Sequence, residues 1–80
     1  MDPYETKIKS IISKIIKVPI DRLGNDDDLV EKHGLDSLAR VEIITELEIA
    51  FDVSIDDKAA MSLRSVNKCR EFIEGAKSQK

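Results

Sequence analysis

Apolar residues near the start of the chain recur with the period of an α-helix. Spacings of three and four positions place such residues on one helical face. The stripe consists of Tyr4, Ile8, Ile11, Ile12, Ile15 and Ile16. Lysines occupy the other face, Pro3 suits the start of the helix and Pro19 suits its end. This pattern predicts a first helix that packs on the core along one side.

A second helix is predicted from Ser37 to about Ala50, with Asp36 or Ser37 as its N-cap. Its apolar residues form two stripes. The inner stripe contains Ile43 or Ile44, Leu47 and Phe51, and the outer one contains Leu38 and Val41 and is continued by Thr45. Two interpretations are open, namely a helix buried on both sides or an exposed strip that contacts a partner. The pattern alone slightly favours burial.

The remaining segments predict short elements. Residues 18–36 form a long connection that we expect to contain short turns and to be held to the core by Leu23, Leu29 and Val30. One helical turn is predicted from Lys58 to Met61. A last helix, capped by Ser65, runs from Val66 to about Glu74, and Gly75 is expected to end it. The predicted fold is all-α, a small four-helix bundle of three main helices and a short third helix, with a long loop between helices 1 and 2.

Length and charge limit the function. Eighty residues with a net charge of -3 suit a single domain over residues 1–80, which we expect to be monomeric and cytoplasmic. Twelve of the sixteen acidic residues lie between residues 21 and 57. That acidic middle disfavours nucleic acid and favours proteins with basic patches. No apolar run approaches the ~20 residues that a membrane span needs.

The sequence gives only weak indications of a catalytic or metal-binding site. His33, Asp36 and Ser37 lie within five residues, which does not suit a Ser-His-Asp hydrolase, so His33 is predicted to be a solvated loop residue. Three consecutive aspartates, residues 26–28, lack the alternating ligand spacing of an EF-hand. Cys69 excludes an intramolecular disulfide and is predicted to be a small core residue.

The stretch Gly34-Leu35-Asp36-Ser37-Leu38 carries the strongest signal. Together with Val41-Glu42, Leu47-Glu48, Phe51 and Ile55, it resembles the acyl carrier protein family over most of the chain. The resemblance implies a carrier rather than an enzyme. It implies that a phosphopantetheinyl transferase moves 4'-phosphopantetheine from coenzyme A onto Ser37 and recognises Asp36 and Leu38. The thiol at the end of this arm then holds an acyl group as a thioester.

The resemblance also implies roles for other residues. Contacts with acyl-loading and acyl-processing enzymes, through their basic docking patches, are expected from Leu38, Arg40, Val41, Glu42, Thr45, Glu48 and Asp57. An acyl chain that slips between the helices is expected to touch Ile44, Leu47 and Ile55.

Several positions depart from the family pattern. Arg40 follows the motif where fatty-acid carriers usually have a small polar residue, and Ile49 and Ala50 replace acids. These departures predict dedicated partners in a specialised lipid, polyketide or peptide pathway, with fatty acid synthesis still open. A peptidyl or aminoacyl carrier is one alternative, and a small acidic regulatory protein with an unmodified Ser37 is another. Met1 and the short tail favour a free-standing protein.

Overall fold

The computed structural model describes residues 3–77, and every regular element in that range is helical. Between residues 3 and 77 five α-helices follow one another, and a single 3₁₀ turn, Ile20–Arg22, lies between the first two. The helices are α1 (Pro3–Ile16), α2 (Leu29–His33), α3 (Ser37–Phe51), α4 (Asp57–Ser62) and α5 (Val66–Lys77). The all-α prediction is confirmed, with one more short helix than the predicted four.

The core lies where α1 packs against α3 and α5. Its fully buried side chains include Ile8 and Ile12 of α1, Leu47 of α3, and Val66 and Ile73 of α5. The predicted inner faces of α1 and α3 are therefore confirmed. Cys69 is also buried among them, as predicted. At one end of this core the rings of Tyr4 and Phe51 pack with centroids 5.6 Å apart.

The additional helix, α2, lies within the long connection. Asp28 caps it by accepting hydrogen bonds from the N–H groups of Val30 at 2.9 Å and Glu31 at 3.0 Å. Gly34 ends it in the left-handed region, at φ 68°. Five residues are too few to show a helical period, so only these two capping residues could have revealed the helix. Leu29 is buried as predicted, and so is Leu23 earlier in the connection.

The connection is fastened to the start of α5. The backbone N–H of Asn67 donates to the carbonyl of Asn25 at 2.9 Å, and the Asn67 side chain donates to the carboxylate of Asp26. One residue before α2, the carboxylate of Asp28 also accepts from Arg64. The consecutive aspartates thus act as acceptors that order the loop.

The ends of the later helices differ slightly from prediction. α5 continues through Gly75 to Lys77, whose Nζ donates to the carbonyl oxygen of Phe51 at 2.9 Å. That bond satisfies a carbonyl at the end of α3 and anchors the last turn of α5. α4 begins at Asp57, one residue before the predicted turn. The prediction that Ser65 caps α5 is confirmed by its Oγ, which accepts from Lys68 N at 3.1 Å.

Within the described residues, no helix has the length and apolar character needed to cross a membrane.

A candidate attachment site at the start of α3

The chain enters α3 through a turn that separates buried from exposed residues. Gly34 adopts φ 68° and ψ 30°, a conformation that glycine adopts without steric cost. Leu35 then donates its N–H to the carbonyl of Leu29 at 3.0 Å and is only 6% exposed. With Leu35 anchored in the core, the next two residues, Asp36 and Ser37, are exposed.

Asp36, rather than Ser37, caps the helix. Its backbone is extended, and its Oδ1 accepts from the N–H of Ala39 at 2.8 Å. Ser37 is the first helical residue, and no side-chain hydrogen bond found within residues 3–77 engages its Oγ. Because the aspartate takes the capping role, the serine hydroxyl stays free to react.

The surroundings of Ser37 suit a phosphodiester. The first N–H groups of a helix have no acceptor within the helix, and those of Ser37 and Leu38 are not used by the Asp36 cap. The helix dipole also favours negative charge at this end. The residues present therefore fit a phosphate-linked group on Ser37, whose distal thiol would supply thioester chemistry.

His33 does not join Ser37 in a catalytic arrangement. The prediction of a solvated loop residue was wrong, because His33 ends α2 and its side chain is 9% exposed. Its Nε2 lies 3.1 Å from Oδ2 of Asp27. The hydrogen bond from His33 is the largest cause that lowers the pKa of the Asp27 carboxyl, and a hydrogen bond from the N–H of Gly24 is the next largest. The histidine thus orders the loop before α2.

The outer stripe of α3 is exposed. Leu38, Val41 and Ile49 are 74%, 61% and 72% exposed, and Thr45 is also exposed. The strip is therefore exposed, as the second interpretation requires, and the preference of the pattern for burial was wrong. Contact of this strip with a partner stays a prediction. Ile49 was missed as a member, although its position four residues after Thr45 was the available signal. We use the name outer stripe for these four residues.

The other predicted partner residues occupy varied environments. Glu42 and Asp57 are exposed. Glu48 is half-buried, and its Oε2 accepts from the N–H of Ile55 at 2.8 Å, so one of its oxygens orders the chain after α3. Arg40 is half-buried and lies about 160° around the helix from Leu38, outside the outer stripe.

One exposed apolar residue near these was not anticipated. Met61 of α4 is 67% exposed. A helix of six residues has too little length for a readable period, so the sequence held no signal for the orientation of this side chain.

The predicted acyl-chain contacts lie in or beside the core. Leu47 is fully buried, Ile55 is 7% exposed and Ile44 packs partly buried against them. Two surface clefts, a groove between α1 and α3 and a cleft beside His33, have other linings. An acyl chain at these three positions thus stays a prediction.

Comparison with known proteins identifies the family. Residues 6–73 match the family model described as "Phosphopantetheine attachment site". The chain is 43% identical over 70 residues to the acyl carrier protein of Desulforapulum autotrophicum, covering 86% of this chain and 91% of that protein. It is 37% identical over 73 residues to the acyl carrier protein of Buchnera aphidicola subsp. Schizaphis graminum, covering 91% and 92%. The chain therefore belongs to the acyl carrier protein family.

Membership establishes what the protein does in general terms. It carries acyl groups as thioesters on a covalently attached 4'-phosphopantetheine and is not itself an enzyme. Its work implies interaction with enzymes such as transferases and synthases. The fold agrees with this role, since it offers an exposed serine at a helix start and an exposed apolar stripe directly beside it.

Proposed function

We propose that Ser37 is the residue that carries the arm. The observation that supports this most directly is the division of roles at the start of α3, where Asp36 caps the helix and Ser37 Oγ stays exposed. The turn at Gly34 and the buried Leu35 hold the serine on the surface, so a second protein can approach it.

The loading step follows from the chemistry of an alcohol and a pyrophosphate. Ser37 Oγ attacks the phosphorus that bears the pantetheine group of coenzyme A, forming a new P–O bond. The bond from that phosphorus to the bridging oxygen breaks, and 3',5'-ADP leaves. The transferase accepts the proton of the hydroxyl, because Ser37 Oγ has no side-chain hydrogen-bond partner among residues 3–77. The new phosphodiester then lies against the free N–H groups of α3.

The outer stripe supports a docking role for α3. A partner that covers these exposed apolar side chains removes them from water. This burial favours binding by roughly 25 cal/mol for each Å² of apolar surface covered. Glu42 beside the stripe, Asp57 at the start of α4 and the free oxygen of Glu48 present negative charge to the same partners. We propose enzymes with an apolar contact surface bordered by basic residues, which would also be steered by charge.

We further propose that these partners belong to a dedicated lipid, polyketide or peptide pathway. Ile49 extends the apolar surface where related carriers have acids, and Arg40 adds a cation near Ser37. A partner selected for this chain would match both features. We also propose the cytoplasm as its location, since the free thiol of Cys69 is compatible with a reducing compartment.

Intact mass spectrometry tests the attachment residue. The purified protein is incubated with coenzyme A and a broad phosphopantetheinyl transferase, together with a known carrier as a positive control. We expect one pantetheine-sized addition to the wild type and to Ser54→Ala, which alters another exposed serine, and none to Ser37→Ala. An addition that persists in Ser37→Ala would refute the assignment, and so would an unmodified wild type beside a modified control carrier.

Mechanism-based crosslinking tests the choice of pathway. The loaded carrier is offered to a general fatty-acid ketosynthase, and Arg40→Ala and Ile49→Glu are compared with the wild type. A dedicated carrier should crosslink poorly, and Ile49→Glu, which restores an acid, should improve the yield. Efficient crosslinking of the wild type that is unchanged in Arg40→Ala would contradict a specialised role.

A further inference from the structure

Cationic side chains from three different elements meet beside His33. They border a surface cleft of about 520 Å³ between the end of α1, the 3₁₀ turn and α2. The cleft is lined by Lys17, Val18, Pro19, Arg22, Lys32 and His33. Every charged side chain in this lining is basic, although residues 21–57 as a whole are strongly acidic.

The protein neutralises only part of this charge. Asp27 accepts from Lys32 Nζ at 3.3 Å and from His33 Nε2 at 3.1 Å, so these two groups have a carboxylate partner. Lys17 and Arg22 are exposed, and neither forms an ion pair in the part of the chain that the structure describes. Two cations thus border the same cleft without a carboxylate of their own.

The positions of these cations are set by the backbone. Lys17 follows α1 with φ 61°, a conformation that L-residues adopt at a cost. The N–H groups of both Lys17 and Val18 donate to the carbonyl of Ser13, and Ser13 Oγ donates back to the carbonyl of Val18 at 2.6 Å. Arg22 is the last residue of the 3₁₀ turn, and its N–H donates to the carbonyl of Pro19 at 2.9 Å. The walls of the cleft are therefore ordered segments.

We propose that this cleft binds a single oxyanion of the phosphate or carboxylate class, with Lys17 Nζ and the guanidinium of Arg22 as its main donors. A guanidinium presents paired N–H groups to two oxygens of such an anion, and a lysine adds a mobile point charge. The anion relieves the repulsion between neighbouring cations. Val18 and Pro19 supply an apolar wall that limits access of water to one side.

The cleft adjoins the end of α1, and α1 and α3 run in opposite directions, since Tyr4 near the start of α1 packs on Phe51 at the end of α3. The cleft is therefore on the side where α3 begins with Ser37. Lys17 lines both this cleft and the groove between α1 and α3, where Glu42 of the first half of α3 is also found. An anion in the cleft can therefore be free in solution or belong to the group attached at Ser37. Both sources present the same oxygen chemistry, and an experiment can separate them.

Titration with inorganic phosphate tests the cleft directly. Amide shifts of the ¹⁵N-labelled protein without an arm are followed at constant ionic strength. We expect saturable shifts confined to residues around the cleft, with Lys17, Val18, Arg22 and His33 among them. The double variant Lys17→Gln/Arg22→Gln should bind roughly tenfold more weakly, the loss of about 1.4 kcal/mol.

A matched variant controls for charge. Lys7→Gln/Lys9→Gln removes two cations from the first half of α1, eight or more residues and so about 12 Å along the helix before Lys17, and leaves the net charge equal to that of the test variant. It should bind phosphate within about twofold of the wild type, because charges beyond a Debye length of ~10 Å are screened. The proposal would be overturned by amide shifts that grow linearly with the phosphate concentration or that spread over many lysines. It would also be overturned if both double variants weakened phosphate binding equally.

A second titration identifies the source of the anion. It uses protein bearing 4'-phosphopantetheine, and weaker binding of phosphate than without the arm would show that the arm's phosphodiester occupies the cleft. Equal binding would assign the cleft to a free anion. The first titration does not depend on modification of Ser37, so failure of the cleft and failure of the attachment proposal are distinguishable.

Discussion

The guanidinium of Arg64 holds the carboxylate of Asp28 with two hydrogen bonds, Nε to Oδ2 at 3.0 Å and Nη2 to Oδ1 at 3.1 Å. The same carboxylate caps α2 by accepting from Val30 and Glu31. The two partners lie 36 positions apart in the chain. The Asp28 side chain thus joins the loop before α2 to the connection between α4 and α5. Because it also caps α2, it supports the turn that presents Ser37.

Acid should loosen this loop. The bonds from Arg64 lower the pKa of Asp28 below 3.8, and the bond from His33 lowers the pKa of Asp27. A carboxyl whose pKa is depressed by folding stabilises the protein above its unfolded pKa and loses that contribution as the pH falls through the folded value. We expect the urea midpoint to fall as the pH is lowered from about 5 to about 2.

The double variant Asp27→Asn/Asp28→Asn is the control for acid unfolding. It should be less stable than the wild type at neutral pH and should show a flatter decline on acidification. If the decline were as steep in the variant as in the wild type, these two carboxyls would not be its source.

Two glycines should respond in opposite directions to the same substitution. A Cβ at Gly34 or Gly75 meets nothing within 4 Å, so neither change causes a clash. Gly34 has φ 68°, and Gly34→Ala should lower the free energy of unfolding by about 1 kcal/mol. Gly75 lies within α5, and Gly75→Ala should raise it by roughly 0.5–1 kcal/mol. Urea unfolding measures the free energy of unfolding of both variants. A change of the same sign in the two variants would contradict the assigned backbone conformations.

These cases show what the sequence could reveal. Long amphipathic helices were predicted closely, because α1 and α5 each bury one side against the core. Gly75 misled the prediction of the helix end, since glycine is common after a helix and is also tolerated inside one. The helix α2 was missed because its five residues carry no period, and because bonds to the distant residues Arg64 and Asn67 help to fix the loop around it.

The site was only partly predictable, because its details depend on backbone geometry and on contacts with neighbouring elements. The motif indicated Ser37 and Asp36, but the choice of Asp36 as the cap depends on backbone geometry that sequence does not display. The exposure of the outer stripe depends on which neighbours cover α3, and its apolar composition resembles that of a buried face. His33 appeared solvated because its partner, Asp27, precedes it by six positions across α2.

Paired substitutions on α3 should separate the core from the outer stripe. Leu47 is fully buried, and Leu47→Ala should cost about 2–5 kcal/mol of the free energy of unfolding. Ile49 is 72% exposed, and Ile49→Ala should change it by no more than about 0.5 kcal/mol. Chemical denaturation compares the two variants. A large loss from Ile49→Ala would mean that α3 is covered on its outer side.

The thiol of Cys69 should be inert in the native protein. Burial raises its pKa to about 12, so little reactive thiolate forms near neutral pH. A disulfide reagent should detect no rapidly reacting thiol in the native protein without an arm and one after unfolding. After attachment of the arm, one rapidly reacting thiol should appear, and it should persist in Cys69→Ala. Rapid reaction of the unmodified native protein would contradict the burial of Cys69.

Peptide-level mass spectrometry of the loaded protein tests the central claim most directly. The protein is treated with coenzyme A and transferase, digested, and fragmented to find which serine bears the pantetheine group. We predict the group on Ser37 alone, within the peptide that also contains Asp36 and Leu38. Its recovery on any other serine would show that the free hydroxyl at the start of α3 is not the point of attachment.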